Sequence, residues 1–547
     1  MRLRHLAPVL TLVALAFGAR AGDLLIHGGP IYVEADKPPV AALLVRDGHV
    51  AFTGSLAVAK RRAVKPRDID LNGAAAYPGF VDSHAHLMSI GFRELTLNLE
   101  GVVSVPELQT RLKAWNAAHP GTEPLFGRGW IETHWPEARF PNRADLDAVV
   151  ADRPVLLERA DGHAVVANSA MLALAGVTRA TVDPAGGQVL RDATGDPTGI
   201  LVDNATDLAN AKLPKPSLAQ QQEAAKLAVA LYASRGWTGM HNVSVAAADV
   251  AILKTMDAAG ALPIRVDNFM DLGEADEVLS HGPSGQGLVR VDGIKLYMDG
   301  ALGSRGAALL APYSDSPGSS GLLLTPAKVI ADALTKARKA HAQVATHAIG
   351  DRGNRLVLDA YEQAFADDPA ALNLARWRVE HAQIVSAQDI PRFAKLGVIA
   401  SMQPSHAIGD LYFAPARLGP DRLKEGYAWH DLWISGAHLT AGTDAPVEKG
   451  DPLIEYYAAV YRHDLGGYAG PNWGSDEVLT RAQALAALTR EPAYAVFAEK
   501  TRGDLKVGKV ADITAFSVDL MTVPVAAIPK AHAVLTVVAG RVVFDAR

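Results

Sequence analysis

No cysteine occurs among the 547 residues. That absence removes disulfides, thiolate metal ligands and every cysteine-nucleophile mechanism, and leaves stability to a large apolar core. An excess of one charge is missing too. The 53 Lys and Arg against 59 Asp and Glu give a net charge of −6. The basic residues form no run beyond Lys60-Arg61-Arg62, so nothing argues for nucleic-acid binding. There is no internal repeat and no low-complexity segment. The apolar run at the N-terminus, Leu6 to Ala19, is too short to span a bilayer comfortably. With Arg2 and Arg4 before it and Ala19-Arg20-Ala21 after it, the run reads as a secretory signal peptide over residues 1–21. The alternative is an uncleaved anchor. The expectation is an exported protein, periplasmic or secreted, with no stable membrane anchor after cleavage.

What is present is an ordinary globular composition, 49% hydrophobic and 20% charged. The length predicts a large catalytic domain with accessory units. Both ends read as short strands and turns, for example "LLIHGGPIYVE" near the start and "AVLTVVAGRVVFD" near the end. That texture predicts one small β domain built from residues 22–76 and 503–547. The middle, residues 77–502, alternates short apolar strands with helical segments. Eight strands are legible: "GFVDSHAHL", "GWTGMHNVS", "PIRVDNFMD", "GIKLYMDG", "QVATHAIGD", "WRVEHAQIV", "GVIASMQPS" and "HLTAGTDAP". Eight strand–helix units predict an α/β fold, a (β/α)8 TIM barrel. The count breaks between the first two strands, where residues 99–229 are too long for a structureless loop and are expected to form a cap insertion.

Most of these strands end in polar residues, and catalytic groups in such barrels sit at those ends. The first gives His84 and His86, two apart and therefore on one side. The fourth gives Lys295, the fifth His347, the sixth His381 and the eighth Asp444. Nitrogen and oxygen donors without sulfur suit zinc, with manganese, iron or nickel as alternatives. One His-x-His is a weak signal; six such residues on five strands of one barrel are not.

The phrases "PGFVDSHAHL", "THAIGD", "VEHAQ" and "TAGTDAP", with the strand-four lysine, resemble the amidohydrolase superfamily. "DGHAVVANSAMLALAGV", "GDPTGILVDNA" and "DGALGSRGAALLAPY" are similar to its large capped branch, the amidohydrolase-3 or YtcJ-like group, which includes N-substituted formamide deformylases. The resemblance covers essentially the whole mature chain. It implies a small β-sandwich made from both termini. It also implies two metal ions, His84 and His86 on the more buried one and His347 and His381 on the more exposed. Asp444 would ligate the buried ion and shuttle protons, and Lys295, carbamylated by CO2, would bridge both. The chemistry is consistent with this. A lysine cation, pKa about 10.4 in isolation, would repel two cations, whereas a carbamate offers two anionic oxygens and can hold ions roughly 3.5–4 Å apart. The alternative is an ordinary ion pair of Lys295 with Asp299 or Asp444 around a single metal.

The resemblance thus implies hydrolysis of a C–N bond in a small-molecule amide, N-acyl or N-formyl, by a metal-activated hydroxide. Rivals are an esterase or lactonase on the same centre, and a non-catalytic binding or regulatory protein. A homo-oligomer is compatible with the sequence. Further candidates each have a bland alternative. His163 would donate to the substrate carbonyl, or make a structural bond in the cap. Asp351 and Arg352 would orient His347 or bind a substrate carboxylate, or only cap the next helix, and Arg305, in the loop after the fourth strand, is a catalytic candidate in the pocket wall with the same bland alternative. Trp130, with Trp135 and His134, would wall the pocket, or pack the cap. His406, a candidate substrate contact, opens a segment, to Pro420, expected as a mobile lid with aromatic contacts. His241 is expected in the core. Glu380, next to His381, would face away from the site on a regular strand, which weighs against a deaminase.

Overall fold

The structure, a computed structural model, describes residues 23–471 and 473–547. The signal-peptide expectation for residues 1–21 lies outside them, as does the side chain of His134.

Eight parallel strands follow one another in sequence and in space. They are β1 (Phe80–Ala85), β2 (Trp237–Val245), β3 (Arg265–Asp271) and β4 (Val289–Tyr297). They continue as β5 (Gln343–Ala348), β6 (Arg378–His381), β7 (Ile399–Met402) and β8 (Leu439–Ala441). The sheet is nearly closed. Past the end of β8, Asp444 N–H donates to the His84 carbonyl at 2.6 Å, and His86 N–H donates to the Ala445 carbonyl at 2.8 Å. One parallel bridge, Ala85 to Ala445, lies between them.

Such strands are covered on both faces, so they read as apolar runs and not as alternations; all six residues of β5 are buried. Around them lie amphipathic helices. Ala327–Lys339 buries Ile330, Ala333, Leu334 and Ala337 on one face, and its last turn carries Lys336, Arg338 and Lys339, which suit the negative end of the helix dipole. Gly236, at φ +99, ends helix Leu218–Arg235 in a left-handed cap and turns the chain directly into β2. Register sets the depth of each functional side chain: Lys295 pairs with Ala345, Tyr297 with His347, and Ala348 with His381. Lys295 therefore sits below His347.

Strands from both ends of the chain form a second sheet of eight strands, with Ala75–Pro78 antiparallel to Ile513–Phe516. Its apolar cluster takes Ile26, Leu43 and Ile69 from one end and Ile513, Leu535 and Val537 from the other. Between β1 and β2, residues 97–203 carry a six-stranded sheet. Its core gathers Leu125, Trp130, Val155 and Val202. The expected lid is not a loop. His406 to Pro420 falls mostly within helices Pro404–Asp410 and Ala414–Arg422, and Pro404 to Ile408 are all buried. Among the described residues no helix is long and apolar enough to cross a membrane.

Candidate metal centre and pocket

His84 stands near the end of β1 and His86 one step beyond it. Each ring is anchored by Nδ1. His84 Nδ1 meets Glu380 Oε2 at 2.5 Å, and His86 Nδ1 meets the Val243 carbonyl at 3.2 Å. Both acceptors call for a proton on Nδ1, which leaves the Nε2 lone pairs facing Asp444 Oδ1 at 3.4 and 3.1 Å. A lone pair set against a carboxylate oxygen is repulsive unless a cation lies between. His381 Nδ1 meets Gln403 Oε1 at 2.8 Å. His84, His381 and Asp444 each offer a ligand atom within 4.8 Å of the others. His347 Nε2 is buried without a hydrogen-bond partner. These donors fit a divalent ion.

Protonation agrees with the geometry. Burial lowers His84 to about 4 and holds His347 and His381 well below the usual histidine value. Asp444 is held well below the usual carboxylate range despite its burial, which calls for positive charge beside it, from protonated histidines or, where the imidazoles are neutral, from an ion between them. Neutral imidazole and ionised carboxylate are the forms that ligate metal.

Lys295 is 1% exposed, with Nζ 3.2 Å from His84 Nε2. Among the described residues it forms no ion pair within 4.0 Å. Asp299 is engaged elsewhere, accepting the N–H groups of Ala308, Ile349 and Gly350 at 2.8, 2.9 and 2.9 Å. Asp444 faces the histidines. Burial lowers Lys295 to about 8, so the neutral amine is accessible near neutral pH.

His381 (φ +75), Ala382 (φ +43) and Asp444 (φ +56) occupy the left-handed region, where a residue with a side chain is strained. This strain corrects the expectation for Glu380. Arg378 and Glu380, two apart, both point into the barrel; the backbone then turns at His381 and swings its ring over the mouth. Glu380 lies beneath His84 and accepts from Arg378 Nε at 2.7 Å and Nη2 at 2.9 Å. Burial would raise it, but Arg378 and His84 hold it well below the usual range. It argues against a deaminase for a different reason: this carboxylate is locked and does not reach the substrate space. His241 lies in the same buried layer, with Nδ1 2.8 Å from Arg378 Nη1.

A cleft with about 230 Å³ of solvent space meets the cluster. His347, His381 and Asp444 line it, as do His163 and Arg159 from the insertion and His406 from helix Pro404–Asp410. His163 Nδ1 is 2.6 Å from Asp203 Oδ1, and its ring centroid is 5.3 Å from that of His347. Burial would lower His163, but Asp203 overrides it and the value rises to about 9. An imidazolium thus faces the cluster from the insertion. His406 Nε2 is 3.7 Å from Asp444 Oδ2.

Five expected contacts do not line the cleft. Trp130 is fully buried in the insertion's core, its indole N–H donating to the Leu157 carbonyl at 2.9 Å; its neighbours Gly129 and Ile131 line the cleft instead. Trp135 is bonded likewise, to the Val102 carbonyl at 2.8 Å. Arg305 pairs with Asp315 at 2.9 Å. Asp351 accepts from Leu310 N–H at 2.8 Å, tying the loop after β4 to helix Asp351–Ala364. Arg352 follows it, and its N–H donates to the Ala308 carbonyl at 3.1 Å. Reading the sequence missed Asp203, Arg159 and Glu448, all of which act at or beside the cleft. Asp203 was within reach, since it stands in the phrase "GILVDNA".

Neutral imidazoles turned towards a carboxylate, at the strand ends of a nearly closed parallel barrel, define a metal-dependent hydrolase. The comparisons refine this. The sequence profile of the Amidohydrolase family matches residues 67–544, and the chain belongs to that family. It is 34% identical to the protein described as "Putative amidohydrolase YtcJ" of Bacillus subtilis, over 95% of this chain and 99% of that protein. It is 26% identical to the N-substituted formamide deformylase of Arthrobacter pascens, over 90% of this chain and 92% of that protein. Its fold matches the crystal structure of an uncharacterized metal-dependent hydrolase from Pyrococcus horikoshii at a TM-score of 0.75. Identity there is 29%, with 92% of this chain and 99% of that one covered.

Proposed function

We propose that the protein hydrolyses the C–N bond of an N-acyl or N-formyl amide. In this reading His84, His86, His347, His381 and Asp444 would hold divalent metal, two zinc ions, and Lys295, as a carbamate, would supply a further anionic donor to it. The observation that carries it is Lys295, a fully buried lysine with no acidic oxygen within 4.0 Å among the described residues, beside imidazoles that are themselves neutral. An unpaired buried ammonium is costly, whereas an anionic carbamate would balance metal charge. The deformylase relative supports the choice of a C–N bond, and the N-terminal basic and apolar pattern supports export.

When bound, the ions supply Lewis acidity, polarising a carbonyl oxygen and lowering the pKa of a water to about 7. The chain's own residues do the rest. Asp444, ionised and turned with Oδ1 to His84 and His86, accepts the proton of the attacking water and returns it to the leaving nitrogen. His163, held as an imidazolium by Asp203, offers its remaining N–H to the carbonyl oxygen as negative charge develops there. Glu380 and Gln403 fix the rings of His84 and His381.

The test is metal-replete protein against matched N-formyl amines, N-acyl amino acids and the corresponding esters. Turnover of amides is expected. Turnover of esters alone would make it an esterase or lactonase, and protein that neither retains metal nor responds to zinc would make it a non-catalytic binder. Lys295→Ala is expected to lose activity and bound metal; full retention of both rules out the carbamate.

A further inference from the structure

Most charges around the cleft are answered from within. Arg159 is held by Glu132 at 2.8 Å and by Asp161. Arg93 has Glu94 at 3.0 Å and Glu100 at 3.9 Å. Lys449 reaches the same Glu100 at 3.9 Å, and His163 has Asp203. Two lining carboxylates are left over. Asp410 accepts from Tyr427 and Gln383, both neutral. The Glu448 carboxylate accepts no hydrogen bond among the described residues, and the basic atom near it is His406 Nε2, at 3.9 Å.

His406 supplies an independent observation. It is 7% exposed, lines the cleft, and its Nε2 is buried without a hydrogen-bond partner. An imidazole nitrogen and a carboxylate, each without a hydrogen bond among the described residues, therefore face a common gap, too wide for them to bond each other. The Glu448 side chain is 28% exposed, so a ligand can reach it. Gly409 lies beside it; a Cβ there would sit in ordinary contact with Glu448 Oε1, at 3.7 Å. Burial, with the carboxylates of Asp410, Asp444 and Glu100, raises Glu448 well above the usual range. Its basic neighbour within 4.0 Å among the described residues is His406, charged only if protonated, and Lys449 acts on it from farther away.

The geometry also says which part of a substrate lies there. Asp444 Oδ1 faces His84 and His86, while Oδ2 faces His406 at 3.7 Å and His381 at 4.0 Å. The oxygen free to protonate a leaving nitrogen is the one beside His406, and Glu448 lies just past it. Building on amide hydrolysis as the reaction, we propose that Glu448, with Asp410 and His406, forms a subsite for a cationic nitrogen on the leaving amine. The preferred substrates are then N-acyl or N-formyl derivatives of diamines and other amines carrying a second basic nitrogen on a short alkyl chain.

The test compares N-formyl-1,4-diaminobutane with N-butylformamide on zinc-loaded enzyme. The two share acyl group and chain length and differ by one ammonium. The cationic substrate is expected to have a kcat/KM higher by about tenfold or more, the value of a charge-assisted contact. Glu448→Gln should erase the ratio and Glu448→Asp should keep part of it, with unchanged thermal midpoints confirming that both fold. Equal turnover by the wild type, or a ratio that survives Glu448→Gln, overturns the subsite. If neither amide turns over, the hydrolytic reading has failed and the subsite is judged by calorimetry. Titrated 1,4-diaminobutane should then bind the wild type and not Glu448→Gln; no binding overturns it.

Discussion

Replacing Glu380 by Gln probes the layer beneath the metal ligands. The carboxylate is fully buried, grips Arg378 through both oxygens and holds His84 Nδ1 at 2.5 Å. An amide keeps the volume and loses the charge. Two separable costs follow. Arg378, also fully buried, loses the one carboxylate it pairs with among the described residues, and stranding a buried cation costs about 3–5 kcal/mol. His84 loses the anion that orients it, and losses of this kind weaken metal binding about 10–100-fold, or roughly 1.4–2.7 kcal/mol. Urea denaturation of metal-free protein reads the first cost, and zinc titration against a competing chelator reads the second. Adding Arg378→Met removes the stranded cation. The double variant should recover about 1 kcal/mol or more of metal-free stability and none of the zinc affinity. A Glu380→Gln variant destabilised by less than about 0.5 kcal/mol, the scale of a neutral surface change, with wild-type zinc affinity, would show that this network is only packing.

Asp203→Asn should release His163 from its raised pKa of about 9. The alkaline limb of the kcat/KM profile should move to lower pH, and kcat/KM should fall about 10²-fold or more. A group raised in the folded state stabilises below its unfolded pKa of about 6.5 and loses that contribution as pH rises through the folded value. In metal-free protein the stability gap between wild type and variant should therefore be widest near pH 6, on the order of 3 kcal/mol, and narrow towards pH 10. A gap that does not depend on pH would refute the pairing. Trp130→Phe should cost about 1 kcal/mol for the lost bond to the Leu157 carbonyl and leave kcat/KM unchanged. A large rise in KM would put the indole at the pocket after all.

The barrel and the polar cluster at its strand ends were legible for one reason. Parallel strands covered on both faces must be apolar, so the polar residues His84, Lys295, His347 and Asp444 stand out at their ends. Side-chain direction was less legible. Alternation placed Glu380 outside, but it holds only while the backbone is extended, and the left-handed turn at His381 and Ala382 comes where a sequence gives no sign of it. In strand Leu125–Trp130, Trp130 faces the insertion's core and the flanking Gly129 and Ile131 line the cleft. Which parity faces substrate depends on which sheet face is covered, and a local pattern does not record that. Asp203 lies 40 residues from His163, and the Glu448 subsite exists only because the loop after β8 meets helix Pro404–Asp410. These are long-range pairings with no local periodicity to announce them.

The seam where β1 meets the end of β8 joins residues 358 positions apart, His86 and Asp444. Its backbone joint is slight, one bridge and two flanking hydrogen bonds, and donors for the ion stand on both sides of it. Side chains add to it, the Asp82 carboxylate accepting from Thr443 N–H at 2.9 Å and from its hydroxyl at 2.6 Å. An ion held by His84, His86 and Asp444 would be a further clasp, fastening the first strand to the last.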